Sequence, residues 1–504
     1  MCGIMGVSLG SYHYSATADL VESALQLQHR GQDACGIVCG TLDGIVSASK
    51  GNGLVTEVFS ANNGGTLDLE GSFGIGHATN GKHTVQQIQP IIAKDRGNIA
   101  IAHNGNLENC MDIARYLNTA REARLSPSLG DSELMMELFL PESARNGQIR
   151  SSNPIPRWVL SGIEEIYRHS VGSFACVLFV PSYGLVAFRD PHGIKPLAMG
   201  RRVTTQGEVD YMFASESVAF QNLGYTFLRD VNPGEAIFVP SVGSIPENTR
   251  CIAMQIVPEL SYSPDVFEMV YFARQESVID GVSVNRSRQL MGEELAQTVI
   301  DQLANTHGHA AVDEIDCVIP VPETSYTCAL ALSQAMGKPL SLGLVRNRFI
   351  MRTFIIPNQK QRCKAVNRKL NTVGEEFDGK NVLIVDDSIV RGTTAARIVK
   401  MTREAGANKV YFASGSPAIR YRHIYGIDLA DEKELLAHGQ SNTKIQAALG
   451  CDGLYYLPLE GLVRACNNAR GGEGPLDFEV GIFTGSYTTH KSGHHRYEAR
   501  PLYA

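Results

Sequence analysis

The sequence predicts a mixed chain, α+β in its first half and α/β in its second, on three observations. Asn381–Thr394 reads NVLIVDDSIVRGTT, where Val382–Val385 is a β-branched apolar run of strand length followed by two carboxylates and a loop. The segment after it has apolar residues at Ile398, Val399 and Met401 and ends at Gly406, which reads as a helix with its C-cap. Asp313–Pro339 repeats the order, with an apolar strand at Cys317–Val321, a PETS loop and a helical stretch, so strand, helix and strand form a βαβ unit. The first half instead alternates apolar with turn residues, in VGSFACVLFV and GLVAFRDPHGIKPLAMG, as sheet strands do.

Composition narrows the function classes. At 504 residues, two or three domains are expected, and 43% hydrophobic with 19% charged residues is ordinary for a globular chain. A net charge of −7 with no basic block gives no reason to expect nucleic acid. No apolar run is long enough to span a membrane, and MCGIMGVSLG has neither the charged nor the apolar region of a signal peptide. The 11 Cys are scattered without a CxxC, which points to free thiols in a reducing, cytoplasmic setting. Cys35 and Cys39 lack a second pair or a nearby His and read as core thiols.

The strand–loop–helix at residues 381–406 has a chemical reading. Unpaired N–H groups and the positive dipole end make a helix N-terminus a phosphate site, and ligands bind beyond the carboxyl ends of strands in open α/β sheets. Asp386 and Asp387 cannot both be buried without a counter-charge, and they suit sugar hydroxyls and a hard divalent cation. A lone Asp pair would be an ordinary βα turn; in this context it predicts a phosphorylated sugar held with magnesium. LIVDDSIVRGTT resembles the phosphoribosyl pyrophosphate loop of the type I phosphoribosyltransferases. That resemblance assigns the sugar phosphate to Asp386, Asp387, Ser388, Val390, Arg391, Gly392, Thr393 and Thr394. It assigns the pyrophosphate to Glu323, Thr324 and Ser325, with one Mg2+ per subunit held by Thr324, Asp386 and Asp387. VRNRFIMRTFIIPNQKQR carries Arg346, Arg348, Arg352 and Arg362, too many for a buried loop without anions. These are expected to form a lid that excludes water from the activated sugar, with Arg348 and Arg352 on the substrate. Met351 stands where relatives carry Gly, and the resemblance puts Arg420 near the pocket.

At the other end the chain begins Met-Cys-Gly-Ile, so removal of Met1 leaves Cys2 with a terminal amine that titrates near neutrality and serves as base for its own thiol. LQHRGQDACGI (27–37), GIGH (74–77), AHNGNL (102–107) and GDSEL (130–134) follow. Together they resemble the glutaminase domain of the class II, N-terminal-nucleophile amidotransferases. The resemblance implies a four-layer α/β/β/α sandwich for the first half. It makes Cys2 the nucleophile, Asn104 and the Gly105 N–H the oxyanion hole, Arg30 an organiser of the nearby loop, and Asp131 the partner of the substrate's α-ammonium. The chain departs from the family at HATNGKH. The family has Arg, which clamps the α-carboxylate, where this chain has Thr79, and an aromatic residue where it has Asn80. The segment up to Gln89–Pro90 is also about three residues short, and Lys82 is the expected substitute charge.

The boundaries expected are 2–245 for the glutaminase domain, 262–470 for the phosphoribosyltransferase domain and 471–504 for a C-terminal segment, with the crossing in the Pro- and Ser-containing stretch 240–264. FEMVYFARQESVIDGVSV then resembles the family's junction of two active sites, with Tyr271 beside an ammonia passage and Arg274 ordering the catalytic loop; Gln275 replaces the usual Pro. In the His-rich tail, His490, His494 and His495 are read as part of a frayed end rather than a metal site.

Collinear over 2–485, the two resemblances imply the glutamine phosphoribosylpyrophosphate amidotransferases, enzymes of the first step of purine synthesis. Phosphoribosyl pyrophosphate and glutamine, or ammonia, would give 5-phosphoribosylamine, glutamate and pyrophosphate. Thr79 leaves two alternatives: a paralogue that uses free ammonia or another amine, and a non-catalytic regulatory relative. The family further implies a homo-oligomer and purine nucleotides as feedback inhibitors. Some relatives hold an iron–sulfur cluster, which is not expected here because no paired CxxC lies near Cys451 or Cys466.

Overall fold

The computed structural model describes every residue except 1, 42–43, 61–68, 82, 95–96, 121–128, 141–154, 182, 241–250, 309, 348–369, 428–430, 472–473 and 492–504. The first half builds two antiparallel sheets. One orders its seven strands β11-β9-β10-β1-β4-β2-β3, from β1 (Gly3–Ser8), β2 (Ala34–Gly40), β3 (Val46–Asn52), β4 (Phe73–Thr79), β9 (Ala198–Val203), β10 (Val209–Ala214) and β11 (Thr226–Asp230). The other runs β13-β12-β8-β7-β6-β5, from β5 (Ile91–Ala93), β6 (Ile99–Leu107), β7 (Gly172–Val180), β8 (Gly184–Arg189), β12 (Glu235–Pro240) and β13 (Ile252–Gln255).

Alternation decides what each face meets. Ile4, Val38 and Ile75 of the first sheet pack against Ala102, Val177, Ala187 and Ile237 of the second, closing an apolar layer between them. The opposite face of the first sheet, with Met5, Val7 and Ile37, covers helix Thr17–Gln26 through Leu20 and Ala24. The opposite face of the second packs helices Asp131–Phe139 and Arg157–His169 through Leu134, Leu138, Val159 and Ile163. This is the four-layer sandwich expected. Strand β13 pairs with β12 through Ala236↔Met254 and Phe238↔Ile252, so the sheet continues into a stretch read as linker. Its alternating Ile252 and Met254 pack against the same core as β12, a signal obscured by the Pro and Ser around them.

The second half carries a parallel sheet, β16-β19-β20-β21, formed by Cys317–Pro320, Asn381–Asp386, Lys409–Ser414 and Gly453–Tyr456. Hairpins β14–β15 (Val278–Ile279, Val282–Ser283) and β17–β18 (Leu344–Arg346, Leu370–Thr372) flank it. Along β19, Leu383 and Val385 face the core shared with helices Val284–His307, Tyr326–Met336 and Leu459–Asn468. Val382 and Ile384 face helices Thr393–Glu404 and Asn442–Leu449. Burial on both faces is why the run reads as continuously apolar.

The halves are joined by buried charge. Arg189 makes a bidentate pair with Asp280 at 2.6 and 2.8 Å, and Asp265 receives Lys195 and His423, each at 2.9 Å. Burial opposes ionisation of Asp265, but Lys195 and His423 outweigh it and hold the carboxyl well below its usual range. Its folded pKa is depressed, so its contribution is present above the ordinary carboxylate pKa and is lost as pH falls below it. Asp265→Asn removes the carboxylate charge that buried Lys195 and His423 share. It is expected to lower unfolding free energy by about 3–5 kcal/mol at neutral pH, with the gap to wild type closing below about pH 4; urea titrations at a series of pH values read both.

The C-terminal segment is docked, not frayed, as far as it is described. The Thr489 hydroxyl and His490 Nε2 meet the two oxygens of Glu108 at 2.6 and 2.7 Å, and the Tyr487 hydroxyl donates to Arg422 O. The partner, Glu108, lies at the end of β6 in the other half, which composition of the tail could not reveal. His494 and His495 fall outside the described residues.

Candidate active sites

Strand β1 brings Cys2 to the rim of the first sheet. Its backbone N lies 3.1 Å from Asn104 Oδ1, and Arg30 Nε donates to Cys2 O at 3.1 Å. Asn104 is fully buried, yet its Nδ2 has no hydrogen-bond partner, so a donor points unsatisfied beside the thiol. Gly105 adopts φ +151°, and a Cβ there would stand 2.1 Å from Ser173 O; only glycine lets β6 approach β7 this closely beside that donor. Antiparallel pairing of Gly3 with Ala78 carries Thr79 opposite Cys2, where its hydroxyl lies 3.2 Å from Sγ.

Burial would push the Cys2 thiol up, but the charge of His77 and the Thr79 hydroxyl outweigh it and bring the pKa to about 6. His77 is itself buried beside the thiol, on which it acts by charge and by hydrogen bonding. A thiolate at neutral pH is the nucleophilic form. His103 Nδ1 lies 3.2 Å from Ser132 Oγ and 3.7 Å from Asp131 Oδ2. Asp131 and His103 therefore act on each other: burial raises the Asp131 pKa and His103 more than reverses this, while Asp131 raises that of His103 against its burial.

Arg30 is fully buried between two carboxylates. Nη1 reaches Glu216 Oε1 at 2.5 Å and Glu268 Oε2 at 3.0 Å, and Nη2 reaches Glu268 Oε1 at 2.7 Å. Glu216 also accepts from Ser277 and from the Arg274 backbone N–H. The Arg274 side chain pairs with Glu276 and touches Gln26 Oε1 at 3.3 Å, while the guanidinium on the nucleophile's backbone is that of Arg30. Tyr271 lies in the π-helical turn Glu268–Phe272, its ring 5.1 Å from Phe272. Neither Glu216 nor Glu268 was singled out from sequence, because nothing local marks a partner for Arg30. Lys82 lies outside the described residues.

The second site sits at the carboxyl end of β19. Asp387 N donates to Asp386 Oδ1 at 3.0 Å and the Ser388 hydroxyl to Asp387 Oδ1 at 2.7 Å. Burial, and then the neighbouring carboxylate, push Asp386 well above its usual range; burial brings Asp387 up to about 6. Arg288, buried and donating to Met269 O and Ala273 O, partly offsets this for Asp387 and was missed in the sequence. Gly392, at φ +73°, caps helix Thr393–Glu404 and leaves no room for a Cβ against Leu436. Val390 O accepts Leu436 N–H, and Arg391 pairs with Glu434 at 2.9 Å, so the loop is braced by residues 434–436. Arg420 braces the same side through Ala437 O and Gln440 O. Thr393 and Thr394 are exposed at the helix start.

Across from it, Ser325 is buried with its hydroxyl spent on Val321 O, Thr324 is half-buried, and exposed Glu323 pairs with Arg346 at 3.4 Å. Arg348, Arg352, Arg362 and Met351 lie outside the described residues. Among the described residues no group of three or more His, Cys, Asp or Glu is arranged to enclose a metal. The two carboxylates nevertheless fit a hard cation that takes one or two protein oxygens and the rest from phosphates and water.

A thiolate beside an orphaned donor, and a diacid at a phosphate-type helix terminus, define a two-site transferase that frees nitrogen at one end of the chain and substitutes a phosphorylated sugar at the other. Comparison with known proteins agrees. Residues 79–222 match the model of the glutamine amidotransferase domain. The chain is 43% identical over 493 residues to the amidophosphoribosyltransferase of Saccharomyces cerevisiae, covering 97% of this chain and 92% of that one. It is 39% identical over 496 residues to that of Escherichia coli, covering 97% and 93%. Among solved structures it resembles the glutamine phosphoribosylpyrophosphate amidotransferase of B. subtilis complexed with ADP and GMP, at TM-score 0.80 and 32% identity over 97% of both chains. The chain belongs to the amidophosphoribosyltransferase family, enzymes that are glycosyltransferases with a glutamine amidotransferase half.

Proposed function

We propose that Cys2 opens the glutamine carboxamide and that the released ammonia displaces pyrophosphate from the sugar at the Asp386–Asp387 site, giving 5-phosphoribosylamine. The observation that carries this reading is the near-complete coverage by relatives of that activity, with a chemically competent group at each end. In the first half-reaction the Cys2 thiolate attacks the amide carbon, and Asn104 Nδ2 with the Gly105 N–H takes the developing oxyanion. Asp131 receives the substrate ammonium, with His103 holding its carboxylate in place. Arg30 fixes the backbone of residue 2 to Glu216 and Glu268. Tyr271, in the turn that Glu268 begins, lines the way to the second site.

There Ser388, Val390, Arg391, Gly392, Thr393 and Thr394 would cradle the sugar phosphate. Glu323, Thr324 and Ser325 would hold the pyrophosphate. Asp386, Asp387 and Thr324 would hold Mg2+, which would supply positive charge to the leaving pyrophosphate. Purine nucleotides as regulators are part of the same reading, supported by the B. subtilis relative complexed with ADP and GMP, and a homo-oligomeric assembly is proposed with them. The described residues include no helix long and apolar enough to cross a membrane, and cytoplasmic residence is proposed with the rest.

Asn104→Ala tests the first site. It is expected to lower glutamine-dependent kcat by about 10²–10³-fold with KM for phosphoribosyl pyrophosphate unchanged; a wild-type glutamine kcat would remove Asn104 from the oxyanion hole.

A further inference from the structure

We propose that the Thr79 hydroxyl is a proton-donating rotor for the Cys2 sulfur, turning toward Sγ when it is a thiolate and away when it is a thiol or thioester. This deepens, and rests on, the reading of Cys2 as nucleophile. Two contacts define the rotor. Thr79 Oγ1 lies 3.2 Å from Cys2 Sγ and also 3.2 Å from Asn80 O, and Thr79 is buried. A hydroxyl has one proton and two lone pairs. While the thiol is protonated, S–H donates to Oγ1 and the hydroxyl donates to Asn80 O. When the thiol proton leaves for the chain-terminal amine beside it, the hydroxyl proton turns from Asn80 O to the sulfur, and no proton leaves Thr79. Once the sulfur is acylated it is a poor acceptor, and the hydroxyl returns to Asn80 O.

The surroundings hold this rotor in register. Pairing of Ala34 with Thr79 and Gly3 with Ala78 fixes the strand on both sides. Asn80 is tied to the nucleophile loop by Nδ2 on Arg30 O at 3.2 Å and Oδ1 on Gln32 N at 3.0 Å, and Gly81 N donates to Asp33 Oδ2 at 2.7 Å. A Cβ on Gly31 would stand 2.1 Å from Thr79 N, so the loop lies flat against this residue. The charged and titratable groups that face Cys2 are the chain-terminal amine, His77 on the same strand as Thr79, His103 from β6 with Asp131 from helix Asp131–Phe139, and Arg30 with Glu216 and Glu268 from the loop and the junction. Thr79 is the hydroxyl that touches the sulfur without adding a charge.

The test compares Thr79→Val, which keeps shape, with Thr79→Ser, which keeps the hydroxyl. Two quantities are read: the pH profile of iodoacetamide alkylation at Cys2, located by peptide mass spectrometry, and glutamine-dependent kcat. Ammonium-dependent turnover normalises for folded enzyme, and Thr79→Ala replaces the valine variant should that one not fold. Loss of one hydrogen bond to a charged acceptor is expected to raise the alkylation midpoint of Thr79→Val by about one pH unit and to lower neutral-pH alkylation and kcat about tenfold. Thr79→Ser should stay within about twofold of wild type on both. A Thr79→Val midpoint and kcat equal to wild type, or a Thr79→Ser variant as impaired as Thr79→Val, overturns the rotor. Glutamine turnover that survives Cys2→Ala would instead overturn the nucleophile assignment, so the two failures are distinct.

Discussion

Cys2→Ala is expected to lower glutamine-dependent turnover by about 10⁴-fold or more, because no other described thiol stands in this site to form the acyl intermediate. The other described cysteines are placed to be inert. Burial pushes Cys35, Cys328 and Cys466 up, and of the group only Cys2 is brought down, to about 6. Pyrophosphate release driven by high ammonium should persist in the variant, because the diacid site keeps every group assigned to it. The pairing of the two outcomes is what informs. Loss of both would indicate that Cys2, whose carbonyl is held by Arg30 and through it by Glu268, supports the junction structurally.

Asp387→Asn should do the reverse, cutting turnover about 10²–10³-fold with glutamine and ammonium alike. The carboxylate is one of the two assigned to the cation and sugar, and an amide supplies no charge to either. A second signature accompanies the loss. Folding forces Asp386 and Asp387 together in a buried setting that disfavours ionisation of both. Removing one charge should therefore raise the unfolding midpoint of the ligand-free protein while lowering its activity. A variant with reduced activity and a reduced midpoint would place Asp387 in the fold instead of the site.

Much of this was legible in the chain because it is local. The β19 run is apolar on both faces since the sheet is covered on both, and a diacid followed by a Gly-capped helix start is written within fourteen residues, 381–394. The oxyanion pair Asn104–Gly105 was readable for the same reason. Tertiary relations were not. Arg30 meets partners 186 and 238 positions away, and a lone Arg in QHRGQD does not announce them. Thr79 could be read only as a missing guanidinium, because its contact with Cys2 comes from the register of β1 on β4. Arg274 reaches the same cluster through its backbone N–H on Glu216, while the Arg30 guanidinium reaches it by side chain, a division of contacts that the sequence does not show. Strand β13 escaped notice because four residues in a Pro-rich crossing carry too short a pattern.

One chain couples amide hydrolysis to phosphoribosyl substitution. The most direct measurement supplies phosphoribosyl pyrophosphate, Mg2+ and glutamine as the sole nitrogen source and follows glutamate and pyrophosphate together. Equal amounts of the two, rising in step and both dependent on Cys2, are predicted. Glutamate formed without pyrophosphate, or neither product above a blank lacking enzyme, would contradict it.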